Sequence, residues 1–262
     1  MTPRPAKGRG RDAELGGEQV EGRRAVLELL RAGRRPVREL WMAEGLDPSD
    51  LLTEIAERAR AARVPVREVG RARLETMAQT EAPQGVLAQA GPIDDVDLDE
   101  LCRPGKGGVR PFLVALDGVT DPHNLGAILR SAEVAGATGI VLPSRRSAHL
   151  TPTVAKAAAG AIEHLRFALV PGLPAALSRL KAAGVWTVGL DGEARTSLHD
   201  LELATEPLAL VLGSEGKGLG RLTAERCDVL VAIPRHGSIG SLNVGAAAAV
   251  SCFEVARRRS SA

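Results

Sequence analysis

The 262-residue sequence predicts an α/β protein in two parts, a small α/β domain followed by a larger one built on a mainly parallel sheet. Three observations predict this. From Pro111 onward, short apolar runs bounded by glycine or proline alternate with segments of helical period, the pattern of a parallel sheet covered by helices. The same alternation occurs on a smaller scale between Gln19 and about Pro92. Between the two, residues 93–110 (IDDVDLDELCRPGKGGVR) turn acidic and then Gly-rich and basic, which reads as a linker.

Taken in order, residues 1–17 (MTPRPAKGRGRDAELGG) combine Pro, Gly and Arg/Lys with almost nothing to bury and are expected to be a disordered basic tail. The first domain, residues 18–92, opens with a helix over Gly22–Ala32, where Val26, Leu27, Leu29 and Leu30 recur at helical spacing. Val37–Ala43 reads as a strand. Ser49 or Asp50 is placed to cap a helix over Leu51–Ala62, because a short oxygen-bearing side chain accepts from the first free N–H groups. Val64–Val69 is a second strand, Arg71–Gln79 a short helix and Val86–Ala90 a third strand. Arg23, Arg24, Arg34, Arg35 and Arg38 form a basic cluster, either a phosphate-binding surface or a solvated helix end and loop. The Gly-Lys-Gly-Gly run at 105–108 lacks the spacing of a Walker phosphate loop.

In the second domain, residues 111–262, the expected strands are Phe112–Leu116, Gly139–Leu142, Phe167–Val170, Val185–Leu190, Leu208–Leu212 and Val229–Ile233. The expected helices are Leu125–Ala135, Thr153–Glu163, Pro174–Ala183, Leu222–Arg226 and Val244–Arg257. Two strands end in glycine-rich loops. Leu208–Leu212 stops at Gly213 and opens into Ser214-Glu215-Gly216-Lys217-Gly218, and Val229–Ile233 stops at Pro234 and opens into residues 237–243 (GSIGSLN). Glycine lets backbone groups approach a ligand, and two such loops at strand ends are what a site at the edge of an α/β sheet needs.

Composition narrows the function. With 44% apolar and 25% charged residues the chain is able to bury a core, and no apolar run approaches the ~20 residues of a membrane span. The N-terminus has no apolar signal core. Cys102, Cys227 and Cys252 are far apart and in no ligand-like spacing, so they read as thiols of a reducing cytosol. A cytoplasmic protein without a required metal is expected. Aromatic content is only 2%, without tyrosine, which disfavours a nucleic-acid site built on stacking platforms and leaves arginine planes and phosphate contacts to do that recognition. A net charge of +2 is too small to decide the matter, so local clustering carries more weight.

Three blocks then stand in order: residues 121–136 (DPHNLGAILRSAEVAG), 210–219 (LVLGSEGKGL) and 233–250 (IPRHGSIGSLNVGAAAAV). Together they resemble the SpoU (TrmH-like) branch of the SPOUT RNA methyltransferases, which methylate ribose 2'-hydroxyls with S-adenosylmethionine. The front domain resembles the small L30e-like substrate-binding domain of many SpoU enzymes, through its GRRAV and TEAPQGV segments. The resemblance implies a trefoil knot in the C-terminal sheet domain, which periodicity alone does not reveal.

It also implies site residues. Cofactor contacts fall on Gly213, Ile233 and Leu242, with Gly216 beside them, where backbone groups and apolar side chains would enclose adenosine. Arg130 matches the family's proposed catalytic arginine. A guanidinium holds its proton strongly, so positioning of ribose and phosphate and stabilisation of a developing alkoxide suit it better than the role of base. Glu215 is placed to orient Arg130 or to help accept the proton. Asn124 belongs to the same implied catalytic set, Ser241 and Asn243 supply short directional hydrogen bonds beside Leu242, and Asn243 is also placed to cap the last helix. His123 and His236 adjoin the first and third blocks on the expected RNA side, whereas His149, His164 and His199 read as surface residues.

The expected activity is thus S-adenosylmethionine-dependent RNA 2'-O-ribose methylation, most simply of a guanosine in 23S ribosomal RNA. Alternatives are a tRNA enzyme, a resistance-type enzyme acting on a 23S adenosine, and a catalytically silent RNA-binding protein of ribosome assembly. A homodimer is implied, with sites that borrow groups across the interface and with the apolar last helix as a contributor.

Overall fold

The structure is a computed structural model that describes residues 15–144 and 149–261. Its front domain is a four-stranded sheet of order β1-β4-β2-β3, made from β1 (Gln19–Glu21), β2 (Val37–Ala43), β3 (Val66–Val69) and β4 (Val86–Ala90). Only β2 and β3 pair in parallel; β4 runs antiparallel to both β1 and β2. Helices α1 (Arg23–Ala32) and α2 (Asp50–Ala61) pack through Val26, Leu29 and Ile55, all fully buried, and α3 (Arg71–Met77) adds Leu74. The Ser49 hydroxyl caps α2 by accepting from the Leu52 amide at 3.4 Å. Strand β1 has no sequence signal of its own. It is three residues long, and its Glu21 is buried, which an amphipathic pattern does not anticipate.

The larger domain is a seven-stranded parallel sheet of order β7-β6-β5-β10-β8-β11-β9. Its strands are β5 (Phe112–Asp117), β6 (Gly139–Pro143), β7 (Phe167–Val170), β8 (Trp186–Leu190), β9 (Thr196–Ser197), β10 (Leu208–Gly213) and β11 (Val229–Ala232). The central pair β5 and β10 is buried over nearly its whole length, so its continuous apolar runs are those of strands covered on both faces. On one face lie α5 (Pro122–Val134), α6 (Pro152–Ala157) and α9 (Val244–Ser260), sharing a core with Phe112, Val114 and Leu210. On the other, α7 (Leu173–Ala182) packs with Leu98 and Leu101 against Leu113 and Val211. The short α8 (Arg221–Arg226) lies beside α7.

Three sequence expectations need correction. Residues 93–110 are not wholly a linker. The Val96 amide donates to the Phe167 carbonyl at 2.8 Å, and one helical turn, α4 (Leu98–Leu101), buries both its leucines in the large domain's core. Two buried leucines spaced i, i+3 in an acidic stretch carry too little periodicity to read as a helix. Residues 1–14 of the basic tail lie outside the described residues, but Leu15–Gly17 are packed structure. Leu15 is buried, and Gly16 bridges to Leu150. The helix expected over Thr153–Glu163 breaks after α6, with Ala159 at φ 50° and a 3-10 turn over Ala161–Glu163. The break turns Glu163 toward the front domain.

That turn builds the junction. Glu163, 3% exposed, receives a forked pair of bonds from Arg35, Nε to Oε2 at 2.9 Å and Nη2 to Oε1 at 2.5 Å. The remaining Nη1 of Arg35 donates to the carbonyls of Gly17 and Gly91, where the chain enters and leaves the front domain. Arg34 donates to the carbonyls of Glu163 and Leu165, and His164 meets Glu28 at 2.9 Å. A buried forked pair with all three guanidinium nitrogens engaged fixes geometry more than it adds stability. The two domains are held in one orientation.

Candidate functional site

The C-terminal ends of β8, β10 and β11 and the first turn of α9 enclose a pocket of about 200 Å³. Its apolar walls are Leu190, Leu212, Val231, Ile233, Leu242 and Val244. Its rims are three loops: Asp191-Gly192, Ser214–Gly218 and the segment ending in Gly240-Ser241-Leu242. An opening at the carboxyl ends of parallel strands is where α/β sheets bind ligands. Of the residues singled out in the sequence, Gly213, Glu215, Gly216, Ile233, Ser241 and Leu242 all line it.

Gly213 has a different physical reason from the one its sequence suggested. The loop folds straight back, with Ser214 and Gly218 exchanging backbone bonds of 3.0 and 2.9 Å. A Cβ on Gly213 would lie 2.1 Å from the Gly218 carbonyl carbon. The close approach that demands glycine is therefore made by the loop's own backbone, and the pocket wall exists because the loop can close.

Three polar side chains meet at the mouth. Asp121 caps α5 by accepting from the amides of His123 (3.3 Å) and Asn124 (3.1 Å), with Pro122 in the first helical position, which sets Asn124 on the exposed first turn. Asn124 Nδ2 donates to Glu215 Oε2 at 2.8 Å. Asn243 caps α9, its Oδ1 accepting from Gly245 (2.9 Å) and Ala246 (3.3 Å). With that oxygen committed, its Nδ2 donates to Asn124 Oδ1 at 2.8 Å and to Glu215 Oε1 at 3.4 Å. Capping and site-building by Asn243 are one arrangement. Three blocks far apart in sequence are thus closed into a ring whose acceptor, Glu215, is held by two amides.

Arg130 is not part of that ring. Glu215 is engaged by the two asparagines, so the expected orientation of Arg130 by Glu215 is not what the structure has. Arg130 is exposed and makes no hydrogen bond or ion pair among the described residues. It lines a second and larger cavity, a cleft of about 700 Å³ between the domains. The cleft presents Arg23, Arg24 and Arg71 from the front domain and Arg130 and Lys156 from the large one, against Glu21, Glu75 and Glu81. The expected basic cluster is correspondingly divided. Arg34 and Arg35 are spent on the junction and Arg38 is absent from the cleft lining, leaving Arg23 and Arg24 facing it.

Sequence reasoning missed Arg235. Its Nη2 donates to the Gly192 carbonyl at 2.8 Å and contacts Glu193 at 3.2 Å, while Nη1 bonds the Gly240 carbonyl, so one side chain ties two rims of the pocket. The Asp191-Gly192 rim was findable, since an apolar strand run stopping at Asp-Gly is the same signal as at Gly213. The tie itself spans 43 residues and has none. Cys227 and Cys252 are pushed up to about 12, chiefly by burial, and neither is a thiolate at neutral pH. Among the histidines read as surface residues, His164 meets Glu28 in the junction and His199 lies beside Glu254 at 3.8 Å.

Comparison with known proteins places this geometry. The profile of the SpoU rRNA Methylase family matches residues 111–253, and that of RNA 2'-O ribose methyltransferase substrate binding matches residues 19–95. A 23S rRNA (guanosine-2'-O-)-methyltransferase RlmB of Pseudomonas aeruginosa is 44% identical over 247 residues, covering 92% of this chain and 97% of its own. The crystal structure of the SpoU methyltransferase AviRb from Streptomyces viridochromogenes in complex with AdoMet superposes with a TM-score of 0.75 at 26% identity, over 93% of this chain and 91% of that one. An AdoMet-bound rRNA methyltransferase from Sinorhizobium meliloti gives 0.74 at 26%, over 92% and 87%.

Proposed function

We propose, from the premise that this chain belongs to the SpoU rRNA methylase family, that it methylates the ribose 2'-hydroxyl of a guanosine in 23S ribosomal RNA. It is an RNA 2'-O-methyltransferase that uses S-adenosylmethionine, on a SPOUT fold with an L30e-like front domain. The observation that carries the finer reading is full-length similarity to RlmB proteins, front domain included.

The residues of the small pocket fit the cofactor. Apolar walls at Leu190, Ile233 and Leu242 suit a purine face, and the backbone of the loop from Gly213 to Gly216 offers directional groups to its polar edge. When bound there, the cofactor supplies an electrophilic methyl group. The protein's own part is to present the ribose oxygen in line and make it nucleophilic. Glu215, fixed by Asn124 and Asn243, is an acceptor for the 2'-hydroxyl proton, and Ser241 lies on the same rim. Arg130 holds the adjacent phosphate and offsets the negative charge that develops on the oxygen.

Because Arg130 stands away from the ring, a second copy of the chain is the simplest way to complete the site. Val250 and Phe253 form an exposed apolar stripe on α9, with Val134 exposed at the end of the neighbouring α5. We place a homodimer interface there. Light scattering at micromolar concentration should give the mass of two chains, and a fully active monomer would overturn it. The cytoplasm is the natural compartment for an enzyme of ribosomal RNA, and no helix among the described residues is long and apolar enough to cross a membrane. The activity itself is tested by transfer of labelled methyl from S-adenosylmethionine to ribosomal RNA. The product should resist alkaline cleavage at the modified nucleotide, and label found on a base would overturn the ribose assignment.

A further inference from the structure

We propose that the inter-domain cleft is the track on which an RNA strand crosses from the front domain to the methyl-transfer site, gripped by Arg24 on one wall and Arg130 on the other. This rests on the reading of the chain as an RNA methyltransferase. The cleft is the larger of the two cavities and is cationic, with five basic side chains against three carboxylates. One of those carboxylates, Glu21, is buried and saturated by Gln19, Gln79 and Thr80, and a second, Glu75, is engaged by Arg71.

What distinguishes Arg24 and Arg130 from ordinary surface charges is that their neighbours are all engaged. Arg23 Nε donates to the Gln84 carbonyl at 3.1 Å, and Lys156 reaches across the cleft floor to the Ala82 carbonyl. Arg31 pairs with Glu28 and Glu54, and Arg34 and Arg35 are locked into the junction. Arg24 and Arg130 are exposed, face the same cleft from different domains and have no partner among the described residues. Two forked donors facing one cationic cleft match the oxygens of a phosphodiester backbone, which a guanidinium binds in bidentate fashion. With 2% aromatic residues, backbone contact is also the form of RNA recognition this chain is equipped for.

The junction makes the cleft a preformed one. Arg35, Glu163 and the carbonyls of Gly17 and Gly91 hold both walls in register before any strand arrives. The strand then binds without the cost of ordering two loosely tethered domains. Arg130 ends the track on the large domain's wall, and the second copy proposed above brings a methyl-transfer pocket to it.

The test uses the full-length protein with a 23S ribosomal RNA transcript. Arg24 is exposed and outside the transfer site, so Arg24→Ala should keep its melting temperature and cofactor affinity. Its KM for RNA should rise about 10-fold, the loss of one charged hydrogen-bonded contact, with kcat within about twofold. The slope of log affinity against log salt should shrink by about 0.7, one phosphate on a single strand. Arg24→Lys should restore the slope but only part of the affinity. An unchanged KM and salt slope in Arg24→Ala, with wild-type transfer intact, would overturn the cleft and leave the enzyme reading standing. If the wild-type protein transfers no methyl, the enzyme reading fails, while RNA binding that still depends on Arg24 and salt would uphold the cleft.

Discussion

The pocket at the strand ends and the cleft between the domains are built on opposite principles. The pocket at the strand ends is small, and its walls are leucines, isoleucine and valines framed by glycine loops, with the polar groups confined to its mouth. The cleft between the domains is more than three times as large, and its character comes from side-chain charge. A purine cofactor is recognised by shape and a few fixed hydrogen bonds, so its site needs tight backbone geometry, which glycine and close strand ends provide. A polyanion is recognised by charge spread over a wide surface, so its site needs cations kept free of internal partners. Helix α5 serves both. Asn124 on its first turn belongs to the pocket's ring. Arg130, six residues on, lies about 9 Å further along the axis and about 120° around it, on the cleft. In the dimer proposed above, the ribose held at the end of one chain's cleft meets the methyl group in the pocket of the other.

The sharpest way to break this division is Arg130→Ala. If the cleft presents the RNA and the pocket binds the cofactor independently, methyl transfer should fall by about 10²–10³-fold, the usual loss when one electrostatic transition-state contact is removed. Cofactor affinity, measured by calorimetry, should stay within twofold, because Arg130 lines only the cleft. Arg130→Lys should recover little, since a point charge does not reproduce a planar fork. A near wild-type rate in Arg130→Ala would reduce this arginine to a solvated surface charge.

How much of this was legible in the sequence differs between the two cavities for a physical reason. The pocket is assembled from strand ends, and apolar runs that stop at glycine are local signals. The two glycine-rich loops after Leu212 and Ile233 were therefore readable, as was the cap of α9 by Asn243, while Gly213, Gly216, Ile233 and Leu242 were singled out within them through the family resemblance. The ring of Asn124, Glu215 and Asn243 was readable as a set through the family resemblance, but its hydrogen bonds were not, because they join residues 28 to 119 positions apart. For the cleft the signal was misleading. Five arginines looked like one basic cluster, but burial decides which of them face solvent, and two were consumed by the junction, Arg35 by the Glu163 carboxylate 128 residues away and Arg34 by the Glu163 and Leu165 carbonyls. Six of the seven strands of the large sheet were found nearly to the residue, the central β5 and β10 because they are buried on both faces, while the two-residue β9 (Thr196–Ser197) was missed because it is too short to carry an apolar run. The helical turn α4 was lost because four residues hold too little periodicity to compete with an acidic, Gly-rich setting.

A gentler perturbation sharpens the comparison from the pocket's side. Residues 235–242 make no backbone-to-backbone hydrogen bond among the described residues, so the rim that carries Ser241 and Leu242 lacks the support a strand or helix would give it. The tie it has, besides the cap at Asn243, is the Arg235 guanidinium, fastened to Gly240 in its own loop and to Gly192 and Glu193 in the neighbouring one. Arg235→Ala removes those bonds and leaves the apolar walls untouched. The loop then has to be ordered by the cofactor itself, and that ordering subtracts from affinity. The Kd for S-adenosylmethionine should rise about 10-fold, the scale of one or two charge-assisted hydrogen bonds. Arg235→Lys should fail to restore it, since one ammonium lacks the fork that reaches both carbonyls. RNA affinity should not move, because Arg235 lies outside the cleft. A Kd for cofactor equal to wild-type would mean that the rim holds its shape without the tie; a parallel loss of RNA affinity would mean that the two cavities are not independent.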